Sequence, residues 1–144
     1  MRLLLDTCVI SEYIKSKPNQ MVIDWLDQQN ETELFISIIS IAEIQKGIFK
    51  IQNSQPQRAL QLNRWLFSLE EQFSGRILEI NSQVLKMWAE INGISEAKGK
   101  KLPIIDSLIA ATAAIHKATI VTRNTQDFQF ISISTLNPWD KLYF

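Results

Sequence analysis

Four carboxylates stand out along this chain for their local settings. Asp6 ends the apolar run Leu3-Leu4-Leu5, Glu43 follows Ser40-Ile41-Ala42, Asp106 follows Leu102-Pro103-Ile104-Ile105, and Asp127 precedes Phe128 shortly after Thr122. The chain has one cysteine, Cys8, and one histidine, His116. A thiolate enzyme needs a base beside its sulfur, and His116 lies in an Ala-rich stretch with nothing to tie it to Cys8. Cys8 therefore reads as a packing residue that points away from Asp6. Carboxylates gathered without His or Cys suit a hard cation, Mg²⁺ or Mn²⁺, and do not suit zinc or copper. Such a site implies hydrolysis or transfer at phosphorus, with the ion polarising the phosphoryl group and lowering the pKa of a water. Neither a Walker loop nor a GxGxxG turn accompanies it, which argues against triphosphate nucleotides and dinucleotide cofactors.

For these acids to meet, the elements between them must bring distant positions to one edge. Leu3–Leu5 lacks polar alternation, as does a strand covered on both faces of a parallel sheet. Further strands are expected at Glu33–Ser37, Arg76–Ile80, Ala118–Thr122 and Phe130–Ile133. Helices are expected at Val9–Lys15, Asn19–Gln29 with Pro18 in its first turn, Ser40 to about Asn53, Gln55–Phe73, Ser82 to about Lys98, and Ile104–His116. On the fifth of these, Leu85, Trp88, Ala89 and Ile91 form the expected buried face; on the fourth, Leu60, Leu62, Trp65, Leu66 and Leu69 are apolar. Strand alternating with helix means βαβ units and an α/β fold: a three-layer α/β/α sandwich around a central, mostly parallel sheet. The working groups of such sheets lie at the carboxyl ends of the strands.

Each acid also has an ordinary structural explanation. Asp6 suits a helix N-cap, Ser40-x-x-Glu43 matches a capping box, Asp106 complements a helix dipole and Asp127 can make an Asx turn. Convergence of all four at one edge argues against four independent accidents. If they do converge, neutralising Asp6, the most central, is expected to stabilise the metal-free protein, because like charges repel.

The chain of 144 residues has the size of one domain, 1–144. Its 15 basic and 15 acidic residues balance, which excludes a general polyanion-coating protein but leaves a local basic patch open. No apolar run approaches the roughly 18 residues of a membrane span, and Asp6 and Glu12 interrupt any signal-peptide core. With its lone cysteine, the chain is expected in a reducing cytoplasm, away from membranes.

The segments Leu3-Leu4-Leu5-Asp6-Thr7-Cys8-Val9-Ile10-Ser11, Ser40-Ile41-Ala42-Glu43-Ile44-Gln45-Lys46-Gly47, Leu102-Pro103-Ile104-Ile105-Asp106-Ser107-Leu108-Ile109-Ala110-Ala111-Thr112-Ala113 and Val121-Thr122-Arg123-Asn124-Thr125-Gln126-Asp127-Phe128 together resemble the four motifs of PIN-domain ribonucleases. More narrowly, they resemble the VapC toxins of type II toxin–antitoxin systems. The resemblance implies an endoribonuclease that gathers Mg²⁺ or Mn²⁺ through Asp6, Glu43, Asp106 and Asp127, with Thr7, Ser40, Thr122 and Asn124 orienting them or a water. It also implies an RNA substrate, a homodimer and a VapB-type antitoxin. Cys8 departs from it, since Asn is frequent there in the family. The basic residues Lys98, Lys100 and Lys101, just before the third motif, and Arg123, within the fourth, are candidates for RNA phosphate contacts. Two other readings compete: a haloacid-dehalogenase-like phosphatase, whose second Asp is here Cys8, and a PIN scaffold kept for binding RNA or protein without catalysis.

Overall fold

The computed structural model describes residues 1–129 and 131–140. In chain order its elements are β1 (Leu3–Leu5), α1 (Thr7–Ile10) running into a 3₁₀ turn (Ser11–Ile14), α2 (Gln20–Asp27), a 3₁₀ turn (Glu31–Glu33), β2 (Leu34–Ser37) and α3 (Ile38–Ile51). There follow α4 (Pro56–Gln72), β3 (Ile77–Leu78), α5 (Ser82–Ala97), α6 (Ile104–His116), β4 (Thr119–Val121), a 3₁₀ turn (Thr125–Phe128) and β5 (Thr135–Leu136).

Side chains alternate across a strand, and here the alternation separates two cores. Leu3 and Leu5 of β1, Leu34 and Ile36 of β2 and Val121 of β4 join one cluster with Val22, Trp25, Ile44, Leu66 and Leu69. Leu4 and Ile120 enter the other, where Ile109, Ala110 and Ala113 of α6 meet Phe128, and Phe35 packs against it. Helices thus cover both faces of one sheet, in the three-layer arrangement expected. The alanines of α6 let that helix lie close to the strands, and α5 packs principally on α6.

The strands run in the order β3-β2-β1-β4-β5, and all neighbouring pairs are parallel. From β1 the chain moves to β2 and β3 on one side, then crosses to β4 and β5 on the other, so β1 sits at the point where strand order reverses. Leu5 is in register with Ile36 and with Val121. The residues just beyond these three therefore emerge side by side at the carboxyl edge: Asp6, Ser37 with α3, and Thr122.

Helix boundaries follow the caps. Asp6, Asn19, Ser37 and Asn81 each accept a backbone N–H of the next turn through the side chain. Hence the first helix starts at Thr7, two residues before the expected Val9, and α2 starts at Gln20, leaving Pro18 outside it. Likewise α3 begins at Ile38 because Ser37 caps it, so Ser40 is no cap and the capping box expected with Glu43 does not form. At the end of α6 the chain turns through Lys117, at φ 53°, with Ala118 N–H reaching Ala113 O at 2.9 Å and Lys117 N–H reaching Ala114 O.

Three packing expectations change. The inner face of α5 carries Val84, half-buried Trp88 and Ile91, and Ser95, while Leu85 and Ala89 are exposed. On α4, Ala59 is buried and Leu60 is exposed. The final strand is Thr135–Leu136, not 130–133; Phe130 lies outside the described residues. Ile131 and Ile133 pack as loop against the second core, and the ladder forms later, through Ile120 N–H to Ser134 O and Thr122 N–H to Leu136 O, both 2.9 Å.

Candidate active site

The abrupt end of β1 places Asp6 where a strand ends and a helix begins. Its backbone is still extended (φ −69°, ψ 158°), its Oδ1 accepts Thr7 N–H at 2.8 Å, and its Oδ2 accepts the Thr122 hydroxyl at 2.7 Å. The helix cap and the sheet-edge position are thus compatible roles of one side chain, which is only 5% exposed. Thr122, wholly buried after β4, receives Asn124 N–H on its hydroxyl oxygen at 3.0 Å. That donor leaves the hydroxyl proton directed at Asp6. Asn124 therefore acts here through its backbone; its side chain does not cap the 3₁₀ turn it precedes.

Thr7 ties the second acid to the first. Its Oγ1 lies 2.6 Å from Glu43 Oε1 and 2.9 Å from Ser40 Oγ. One hydroxyl has one proton and a carboxylate only accepts, so Thr7 donates to Glu43 and the buried Ser40 hydroxyl donates to Thr7. Ser40 thus reaches Glu43 through Thr7.

Asp106 stands in the first turn of α6 and is half-buried. Burial, then the charges of Asp6 and Asp127, a hydrogen bond with Asp127 and finally the charge of Glu43 push its pKa up to about 6. The charges of all three other acids thus act on it, and Thr7 links two of them, Asp6 and Glu43, directly. Asp127 is exposed on the turn Thr125–Phe128, which is pinned to the second core by Phe128, 1% exposed. Among the described residues no group of three or more Asp, Glu, His or Cys side chains is close enough together to hold a metal ion as it stands. The donor set is nonetheless all oxygen, and the repulsion that adds to burial in raising Asp106 is what a hard divalent cation would relieve, so the residue types fit such an ion. Mg²⁺ keeps several of its waters and does not require a closed protein cage.

Cys8 is closer to the acids than expected: its Sγ lies 3.6 Å from Asp6 Oδ2. Burial, reinforced by the Asp6 charge, pushes the thiol up to about 11, so it is a weak donor and a poor nucleophile. His116 ends α6 at the opposite edge of the sheet, where its carbonyl accepts from Arg2 and burial lowers its pKa.

The basic candidates divide. Lys100 and Lys101 line a cavity of about 140 Å³ together with Gln126 and Asp127, beside the acids. Lys98 lines a different cavity with Ile94, Ser95 and Ile131, and the Arg123 guanidinium lies over the Trp139 ring at 5.4 Å. A larger cavity of about 350 Å³, lined by Tyr13, Asp27, Trp65 and Phe73 among others, includes none of the four acids.

Two supporting groups escape a reading of the sequence. Trp88 Nε1 donates to Ser107 Oγ at 2.9 Å and Ser107 donates to Ile104 O at 2.8 Å, bracing the turn that carries Asp106 against α5. The only trace of this in the sequence is a serine inside a largely apolar helix. Glu12, 2% exposed, accepts Asn19 N–H at 2.7 Å and pairs with Lys15 at 2.9 Å. Burial works to raise its pKa, but these partners hold the carboxyl below its ordinary value. It joins the first turns of the chain to the cap of α2.

Comparison with known proteins places this geometry in context. A family model described as PIN domain matches residues 3–132. Toxin FitB of Neisseria gonorrhoeae is 35% identical over 95% of this chain and 98% of its own. VapC ribonuclease Y4jK of Sinorhizobium fredii is 30% identical over 96% of this chain and 98% of its own. The crystal structure of FitAcB from N. gonorrhoeae superposes with a TM-score of 0.85 at 35% identity, covering 95% of this chain and 98% of that one. VapBC-1 from nontypeable Haemophilus influenzae does so with a TM-score of 0.80 at 25% identity, over 97% and 100%.

Proposed function

Because the chain belongs to the PIN-domain family, alongside the FitB and VapC toxins, we propose that it is a divalent-metal-dependent endoribonuclease serving as the toxin of a type II toxin–antitoxin pair. The observation that carries this reading is the geometry at the carboxyl edge, where Thr7 N–H and the Thr122 hydroxyl hold Asp6 and the Thr7 hydroxyl holds Glu43, near an Asp106 carboxyl that burial and then the charges of Asp6, Asp127 and Glu43 raise. Those four acids would hold Mg²⁺ or Mn²⁺, which when bound supplies charge neutralisation at the scissile phosphate and a more acidic water. The rest of the chemistry belongs to the chain. Thr122 and Thr7 N–H fix both oxygens of Asp6, and Thr7 with Ser40 fixes Glu43, so neither acid must reorganise when phosphate arrives. With the Cys8 thiol at about 11 and His116 at the far edge, neither is a nucleophile or a general base for this pocket. Lys100 and Lys101 bring positive charge to its rim.

Residues 1–144 act as one catalytic domain in this reading, as a homodimer in the cytoplasm. No described helix is long and apolar enough to cross a membrane. Its protein partner is an antitoxin of the VapB or FitA kind. The phosphatase alternative lacks its second Asp at Cys8, and a purely binding scaffold would not need four coupled carboxylates. The test is to incubate the purified chain with total cellular RNA and map new ends. Cleavage is expected with Mg²⁺ and should vanish with EDTA, and in Asp6→Asn and Asp106→Asn proteins that keep their circular dichroism. Undiminished cleavage in metal-free buffer would overturn the mechanism.

A further inference from the structure

Lys100 and Lys101, before the third motif, bring positive charge only to the side of the acids where Asp127 lies. On the other side, α3 buries Ile41, Ile44 and Ile48 and turns Ala42, Lys46, Phe49 and Lys50 outward, all exposed. Phe49 is 66% exposed, a large apolar ring left in solvent between two cations. Two cavities run along this face. One, of about 190 Å³, is lined by Glu43 with Ile39, Ala42, Lys46 and Ile105. The second, of about 570 Å³, shares Ala42 and Lys46 with it and continues to Phe49 and Lys50. Because those two residues belong to both, the groove is continuous from the Glu43 carboxylate outward along roughly 12 Å of helix, the eight rises of about 1.5 Å from Ala42 to Lys50.

We propose that this outer face of α3, from Ala42 to Lys50, docks the single-stranded RNA that enters the acid pocket, with Lys46 and Lys50 on phosphates and Phe49 stacked on an unpaired base. The proposal deepens the endoribonuclease reading and rests on it. Charge supports the assignment: two cations lie on the approach to a pocket whose own acids repel phosphate. So does ring chemistry, because an exposed aromatic offers a stacking face to any unpaired base, whereas paired bases in an A-form helix are already stacked and their edges hidden. Ala42, at the junction of the cavities, has no long side chain to block the strand between Phe49 and Glu43.

The experiment measures binding of an end-labelled, unstructured 12-nucleotide RNA to the full chain by fluorescence anisotropy, in EDTA so that no cleavage intervenes, from 50 to 200 mM salt. The parent should bind, and an RNA duplex should compete poorly. Phe49→Ala should weaken binding at least about 5-fold, the low end of the 1–3 kcal/mol of a stacked base. Lys46→Ala with Lys50→Ala should flatten the log–log salt slope by about 1.4, some 0.7 for each phosphate no longer neutralised. Lys117→Ala, at the opposite edge of the sheet, should change neither. Parent-like binding and salt slope in these α3 variants, or no binding by the parent, would overturn the track. So would a drop in affinity explained by a changed molar mass in light scattering, which would make this face an interface between copies of the chain. Cleavage of cellular RNA by the parent in Mg²⁺, run in parallel, keeps the endoribonuclease reading standing even if the track fails.

Discussion

In the metal-free protein, Asp106→Asn should increase stability at pH 7.5, although it removes a residue of the pocket. Burial and three neighbouring carboxylates raise Asp106 from 3.8 to about 6. A carboxyl whose folded pKa lies above its unfolded value takes up a proton on folding, so it lowers stability wherever it must be ionised. The penalty is absent below pH about 4, grows between 4 and 6, and is complete above 6. A shift of some two units corresponds to about 3 kcal/mol for a fully buried group; Asp106 is half-buried, and solvent screening reduces this to about 1–2 kcal/mol. Asparagine keeps the shape and removes the charge. Urea unfolding in EDTA should show a midpoint higher by roughly half to one molar at pH 7.5, and the difference should close near pH 4. With saturating Mg²⁺ the order should reverse, because ligand that binds only the folded form stabilises it, and the parent has one more ligand to offer. Asp6→Asn should behave oppositely and destabilise the metal-free protein by about 1–3 kcal/mol. Its amide has one acceptor oxygen where the carboxylate has two, so either the Thr122 hydroxyl proton or Thr7 N–H is left facing an NH2 donor. The structure thus reverses the relief expected at Asp6 from repulsion alone. An Asp106→Asn midpoint equal to or below the parent's in EDTA, or a gap that persists unchanged at pH 4, would refute the reasoning.

Thr7→Val should lower the cleavage rate by about 10- to 100-fold without loss of fold, since it frees Glu43 and leaves the Ser40 hydroxyl unpaired; single-turnover cleavage beside circular dichroism measures this. Cys8→Ser should retain most activity, and iodoacetamide should modify the folded parent about 100-fold more slowly than a free thiol, given the rise from 9.0 to about 11; mass spectrometry follows the adduct. Of the three lysines in the loop before α6, replacing Lys100 and Lys101 together should weaken RNA binding and flatten its salt dependence. Lys98→Ala should do neither, because Lys98 lines a separate cavity.

Much of this molecule is legible in order along the chain. The apolar run before Asp6, the alternation of strand and helix, and the absence of any histidine near the acids are local facts, and they suffice for a parallel α/β sheet with carboxylates at its edge. What the chain order leaves open is every distance across it. Asp6 meets Thr122 across 116 positions and Thr7 meets Ser40 across 33, pairings set by the register of β1 with β2 and β4. The same register and the Ser37 cap, rather than any capping box, bring Ser40 under Thr7. Cys8 faces Asp6 because the helix begins at Thr7, and Lys98 parts from Lys100 and Lys101 because α5 extends to Ala97 before the chain turns. Periodicity fixes which face of an element is apolar, since that depends on residues three or four apart. It does not fix which polar groups meet, because that depends on how separate strands align, and alignment is decided only when two cores pack at once on one sheet.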